Sequence, residues 1–181
     1  SGMHLRREGA GRTRLVVVLQ KARQAVLVVE AGTQVLAHRL GLPDREQHWR
    51  EVADGMRDRI LEHAWNERRG AFVASFDDDH LDASVLLLPE LGLLPATDPR
   101  FLATLDVIGR ELRDGDLLFR YRHEDDFGTP QTAFATCAFW YVNALAAAGF
   151  VEEAREHFTR LLRYRNGVGL LSEDIAPATG E

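Results

Sequence analysis

Along most of the chain apolar residues return every three or four positions, and six helices are predicted that alternate between two kinds. Three are one-sided. The helix opening after Gly41 and Pro43 carries Trp49, Val52, Met56, Ile60 and Ala64 on a single stripe. Another begins at Asp98-Pro99, an N-cap followed by a proline suited to the first turn, and sets Phe101, Leu105, Ile108 and Leu112 against Arg110, Glu111 and Arg113. A third, from about Val151 to Arg163, repeats the design with Val151, Ala154, Phe158, Leu161 and Leu162 opposite Glu152, Glu153, Arg155 and Glu156. One apolar face each places these three on the outside.

The segments between them are apolar around most of their circumference. Leu81 to Leu94 is leucine-rich, and Thr132 to Phe150 carries Phe134, Phe139, Trp140, Tyr141, Val142 and Leu145, so both are expected to be inner helices, with Phe139, Trp140 and Cys137 as core. Arg14 to Leu40 is a third inner candidate, although its valines at 16–18, 26, 28 and 29 also suit a strand. Links from inner to outer helices are short, at Gly41–Asp44, Pro95–Thr97 and Gly149–Phe150. Those from outer to inner are long, at Asn66–His80, Asp114–Gln131 and Asn166 onward. Hairpins of this kind packed side by side form an all-α toroid or solenoid with the three long links at one end.

Composition narrows the function classes. A domain with 45% hydrophobic and 28% charged residues is globular, and a net charge of -6 without a basic block argues against nucleic acid as a partner. Leu15 to Val29 is too short and too often interrupted by polar residues to span a bilayer, so no membrane association is expected. The single cysteine, Cys137, excludes an internal disulfide and fits a reducing, cytoplasmic setting. His80 and His123 stand singly in loops and Asp77-Asp78-Asp79 lacks the spacing of a calcium loop, so neither a metal nor a cofactor is expected.

The long links hold most of the remaining chemistry. Glu67, Asp77 to Asp79, Glu124 to Asp126, Glu173 and Asp174 would make one mouth of the ring rich in carboxylates, a setting suited to glycoside hydrolysis. Particular runs carry more weight: Ala64-Trp65-Asn66-Glu67-Arg68-Arg69-Gly70-Ala71-Phe72, Leu81-Asp82-Ala83-Ser84, Phe119-Arg120-Tyr121 and Ala133-Phe134 with Phe139-Trp140-Tyr141. The last is Gly169-Leu170-Leu171-Ser172-Glu173-Asp174-Ile175 with Thr179-Gly180-Glu181. In these motifs, from about residue 40 to 181, the chain resembles bacterial glycoside hydrolase family 15, the glucoamylase-like and trehalase-like enzymes.

The resemblance implies an (α/α)6 barrel of twelve helices, of which six would be about half, and inverting hydrolysis of α-glucosidic bonds in glucan ends, small oligosaccharides or trehalose. It implies Glu173 as the general base that takes a proton from the attacking water, and Arg120 with Tyr121 as sugar-binding residues. An alternative for Arg120 is a surface ion pair to Glu124 or Asp125. Residues 1–40 form a divergent segment, predicted helical, without the family's Trp-Glu acid motif; Glu8 is the nearest carboxylate there and is not assigned the role. Gln131 stands where a glutamate is expected. The chain therefore looks like a C-terminal fragment of the catalytic domain, whose open half ring would expose apolar surface and self-associate. A catalytically silent helical domain that binds carbohydrate or a protein partner is the alternative, and a phosphorylase on a related barrel a third.

Overall fold

The structure is a computed structural model that describes residues 35–76 and 78–180. Two compact units divide them, one of residues 35–64 with 75–76, the other of residues 65–74 with 78–180. The expectations for Glu8 and for the valine-rich segment up to residue 34 lie outside the described residues.

The first unit contains α1 (Val35–Arg39) and α2 (Pro43–His63). Gly41 turns the chain between them at φ 64, a conformation that costs glycine nothing. Pro43 then opens α2, and Asp44 and Glu46 in its first turn complement the helix dipole. Glu46 is bonded from both sides, by Arg50 at 3.0 Å and by His38 at 3.2 Å. Of the expected stripe Ile60 and Ala64 are buried, together with Ala53, while Trp49, Val52 and Met56 are half-buried.

The second unit opens with the antiparallel pair β1 (Trp65–Asn66) and β2 (Ala71–Phe72), turned by Gly70 at φ 61. After it comes not the long inner helix expected over Leu81–Leu94 but a short 3₁₀ helix, Ala83–Leu87. Pro89 has no N–H to offer the Val85 carbonyl four residues back, and the Leu88 N–H takes that acceptor at 3.2 Å instead. Gly92, at φ 72, then completes the departure from helix. Leu81, Leu86, Leu88, Leu93 and Leu94 remain buried, with Leu87 and Leu91 half-buried, because irregular backbone can pack as well as helix when its own groups are bonded.

α3 (Pro99–Glu111) follows as the sequence predicts: Asp98 accepts from the Arg100 N–H at 2.8 Å, and Phe101, Leu105, Ile108 and Leu112 are buried. The pair β3 (Arg113–Asp114) and β4 (Leu117–Leu118) leads into the second long link. β5 (Ala133–Phe134) then runs into α4 (Ala135–Ala147), which packs closely on α5 (Val151–Leu161). A 3₁₀ turn, Leu162–Tyr164, extends α5 toward the predicted end at Arg163. The chain returns as β6 (Asp174–Ile175), antiparallel to β5 with Ala133 opposite Ile175 and Phe134 opposite Asp174.

Phe72, Phe101, Ile108, Leu117, Leu118 and Cys137 form the centre of the core, and burial pushes the Cys137 thiol up to about 12. Phe139 and Trp140 are half-buried rather than core. Phe139 lies edge-on against Phe158 of α5, and Trp140 borders a cavity of about 470 Å³ with Leu86, Leu94 and Ala144. That open side keeps the face of α4 carrying Trp140 and Asn143 from full burial.

Candidate active site

The long links are joined to one another by backbone hydrogen bonds. The Ala83 N–H donates to the Arg120 carbonyl at 2.8 Å, which ties the end of the first link to the second. Pairing of β5 with β6 ties the end of the second to the third. Within this arrangement the sequence-predicted residues take two different positions.

Arg120 is fixed at both backbone and side chain. Asp82, 8% exposed, uses one carboxylate oxygen to cap the 3₁₀ helix at the Ser84 N–H, 2.7 Å away, and the other to accept from Arg120 Nε at 3.2 Å. The partner is thus a buried capping residue 38 positions upstream, not Glu124 or Asp125. Only Nε is used among the described residues, so the two terminal amino groups of the guanidinium are left to hold hydroxyl or carboxylate oxygens.

Tyr121 donates its hydroxyl proton to Asp125 Oδ2 at 2.6 Å. This bond, with burial and the carboxylate charge, raises the tyrosine's pKa; the same bond, with a second from the Phe127 N–H, holds Asp125 below the ordinary carboxylate range. The Tyr121 ring is 4.7 Å from His123, which stacks on His80 at 4.4 Å and 27°. The histidines that stand alone in the sequence therefore meet across two links. Burial first, then the neighbouring His80, lowers the His123 pKa, which favours a neutral ring. His80 also groups with Asp78 and Asp79, with ligand atoms within 4.8 Å of one another, and Arg68 occupies Asp79 at 2.9 Å.

Glu173 is exposed and is placed by its backbone: its carbonyl accepts from the Ala135 N–H at 2.8 Å, at the first turn of α4. Its carboxylate makes no hydrogen bond or ion pair among the described residues, with Arg120 and Tyr121 included. Next to it, Asp174 accepts from the Thr132 hydroxyl at 3.3 Å. Gln131 is exposed and donates to the Thr129 carbonyl. The sequence points to Arg120, Tyr121 and Glu173, but it gives Asp82 no role and offers Asp125 only as an ion-pair partner of Arg120; in the structure Asp82 orients Arg120 and Asp125 orients Tyr121. For Asp82 the usable signal was an aspartate two residues ahead of Ser84 at a helix start.

Helical hairpins with short turns, joined by links that carry two-residue antiparallel pairs, make this a mostly helical protein. The chain belongs to the glycosyl hydrolases family 15, whose family model matches residues 20–180. Among its relatives, a trehalase of Mycobacterium tuberculosis is 39% identical over 148 residues, which is 80% of this chain and 22% of that protein. A trehalase of Thermoplasma volcanium is 34% identical over 147 residues, 81% of this chain and 24% of that protein. The chain thus spans under a quarter of the length of these curated relatives. Of solved structures, a bacterial glucoamylase complexed with acarbose superposes with a TM-score of 0.67 at 17% identity, covering 88% of this chain and 30% of the other. A glycosidase variant in complex with glucose superposes with a TM-score of 0.70 at 16% identity, covering 87% and 43%. No helix among the described residues is long and apolar enough to cross a membrane.

Proposed function

We propose that the chain is part of an inverting α-glucoside hydrolase, a section of about half of an (α/α)6 toroid, acting in the cytoplasm on trehalose, small α-linked oligosaccharides or glucan ends. The observation that carries this is the clamp on Arg120: a buried aspartate and a backbone bond hold a guanidinium whose terminal donors have no partner among the described residues, beside a tyrosine in a family where sugar is the substrate. Trehalose is the first candidate because the trehalases are the similar curated relatives.

Glu173 takes the role of base. Its exposed carboxylate is open to water, as a group that removes a proton from attacking water must be. Arg120 donates to sugar hydroxyls, and Tyr121, held by Asp125, borders the same site. Inversion further needs a protonated carboxyl about 6.5–9.5 Å from the base, with the water between them. Gln131 has no proton to give at neutral pH, so that acid is a group other than this side chain. The silent-domain alternative is not favoured by the relatives, which are hydrolases.

The test is glucose release from trehalose, maltose and isomaltose, with Glu173→Gln alongside. Release that falls by about 10² or more in the variant supports the assignment. Equal release from both proteins, or none from either, overturns it for this chain.

A further inference from the structure

A second cavity, unlike the first, is lined mainly by polar and charged residues. It is an open cleft of about 450 Å³, within the roughly 300–1,000 Å³ of ligand clefts, and none of Arg120, Tyr121 or Glu173 lines it. Asp106, Gly109 and Arg110 of α3, Arg113 just beyond, Tyr141 of α4 and Glu153 of α5 do.

Tyr141 sets its character. The residue is 5% exposed and its ring lies 5.4 Å from His157, yet its hydroxyl makes no hydrogen bond among the described residues. The oxygen is not sealed in the core: it opens onto the cavity, where solvent or a ligand can bond it. The hydroxyl reaches the cavity by passing α3 at Gly109, where a Cβ would collide with Oη and lie 3.1 Å from Cζ. A glycine inside a helix costs roughly 0.5–1 kcal/mol relative to alanine. A helix-interior glycine thus coincides with the point where the hydroxyl meets the cavity.

The surrounding charges specify what could satisfy it. Arg110 is paired with Asp106 at 3.0 Å, whereas Arg113 and Glu153 have no side-chain partner among the described residues. Both act on the Tyr141 hydroxyl, whose pKa is raised by burial first, lowered by Arg113 and raised by Glu153 and Asp106. Guanidinium groups only donate, carboxylates only accept, and the hydroxyl does either. Two positive and two negative groups cancel, so a net anion meets Asp106 and Glu153 and a net cation meets Arg110 and Arg113. A neutral ligand whose every group both donates and accepts meets none of these penalties.

We propose that this cavity between α3, α4 and α5 is a binding site for a neutral polyhydroxylated ligand, a sugar or polyol unit, separate from the links that carry Arg120 and Glu173. The ligand's hydroxyls accept from Tyr141 and Arg113 and donate to Glu153.

Amide chemical shifts of the whole chain, titrated separately with glucose, sorbitol and inorganic phosphate, test it. Saturable shifts at Gly109, Arg110, Arg113 and Tyr141 are expected with glucose, sorbitol or both, and not with phosphate; which of the two saturates separates a ring from an open polyol. Tyr141→Phe weakens this binding about tenfold, and Arg113→Gln by a similar factor. Shifts around residues 120–125 and 172–175 report the other site, and Glu173→Gln leaves those at Gly109 and Arg113 unchanged. The proposal is overturned if neither neutral probe saturates these amides, if phosphate does, if both substitutions bind as the parent does, or if Glu173→Gln abolishes the shifts.

Discussion

Asp82 holds Arg120 across 38 residues of sequence while capping the 3₁₀ helix that begins at the next residue. One carboxylate thereby fixes both the start of a buried segment and the direction of the guanidinium proposed to hold sugar. Removing it as Asp82→Ala should cost about 1–3 kcal/mol, since the cap and the charged hydrogen bond are both lost at a buried position. Asp82→Asn keeps an oxygen for the Ser84 N–H and should recover the capping share while leaving Arg120 without a counter-charge. Denaturant midpoints that are equal for the two variants would sink this account.

Thr104 makes a second long-range bond of this kind. Its fully buried hydroxyl accepts from the Phe72 N–H at 2.9 Å and donates to the Arg100 carbonyl at 2.7 Å. Thr104→Val preserves shape but orphans the amide of β2, and a loss of about 1–3 kcal/mol is expected in chemical denaturation. Thr104→Ser should retain most of the stability; if it is as damaging as valine, the hydroxyl is not what matters.

His157 gives the fold a pH dependence. It is 1% exposed, its Nδ1 accepts from Arg160 at 2.8 Å, and Tyr141 lies against its ring. Burial first, then the charges of Arg160 and Arg113, lower its pKa, with Asp116 opposing. The unfolded chain therefore takes up this proton more readily than the folded one. The stability it contributes is full above its unfolded value of about 6.5 and is lost as pH falls below that toward the lowered folded value. Unfolding measured between pH 7.5 and 5.5 should show this slope, and His157→Gln should flatten it. An unchanged slope in the variant would assign the effect elsewhere.

The half ring proposed above would leave apolar surface for a partner, and Phe150, Val151 and Phe158 of the α5 region are each 43–50% exposed. Light scattering is expected to give at least twice the 20.3 kDa of one chain. A single species of monomer mass at high concentration would contradict the half-ring proposal as an explanation of this surface.

What could be seen in the sequence follows the range of the forces involved. α3 was legible because Asp98, Pro99 and the stripe from Phe101 to Leu112 act within a few residues of one another. In α5 the same local pattern foretold the burial of Ala154 and Leu161, whereas Val151 and Phe158 of the expected stripe are 50% and 43% exposed. Leu81–Leu94 misled because periodicity counts side chains, whereas Pro89 removes a backbone donor and Gly92 admits a left-handed turn. At the candidate site the residue types at 120, 121 and 173 were visible. Their partners were not, because Asp82 with Arg120, and His80 with His123, are brought together only by the closure of the links.

The pairing of β5 with β6 couples two stretches some 40 residues apart, and the bond from Ala135 to Glu173 extends it into the first turn of α4. The returning segment and the start of that helix therefore share a single opening event. Amide protons at Ala135 and Ile175 should exchange with solvent at matching rates, well ahead of those in the middle of α4. Whatever loosens the clasp releases Glu173 and frays the helix together, so the placement of the proposed base is only as durable as a two-residue ribbon.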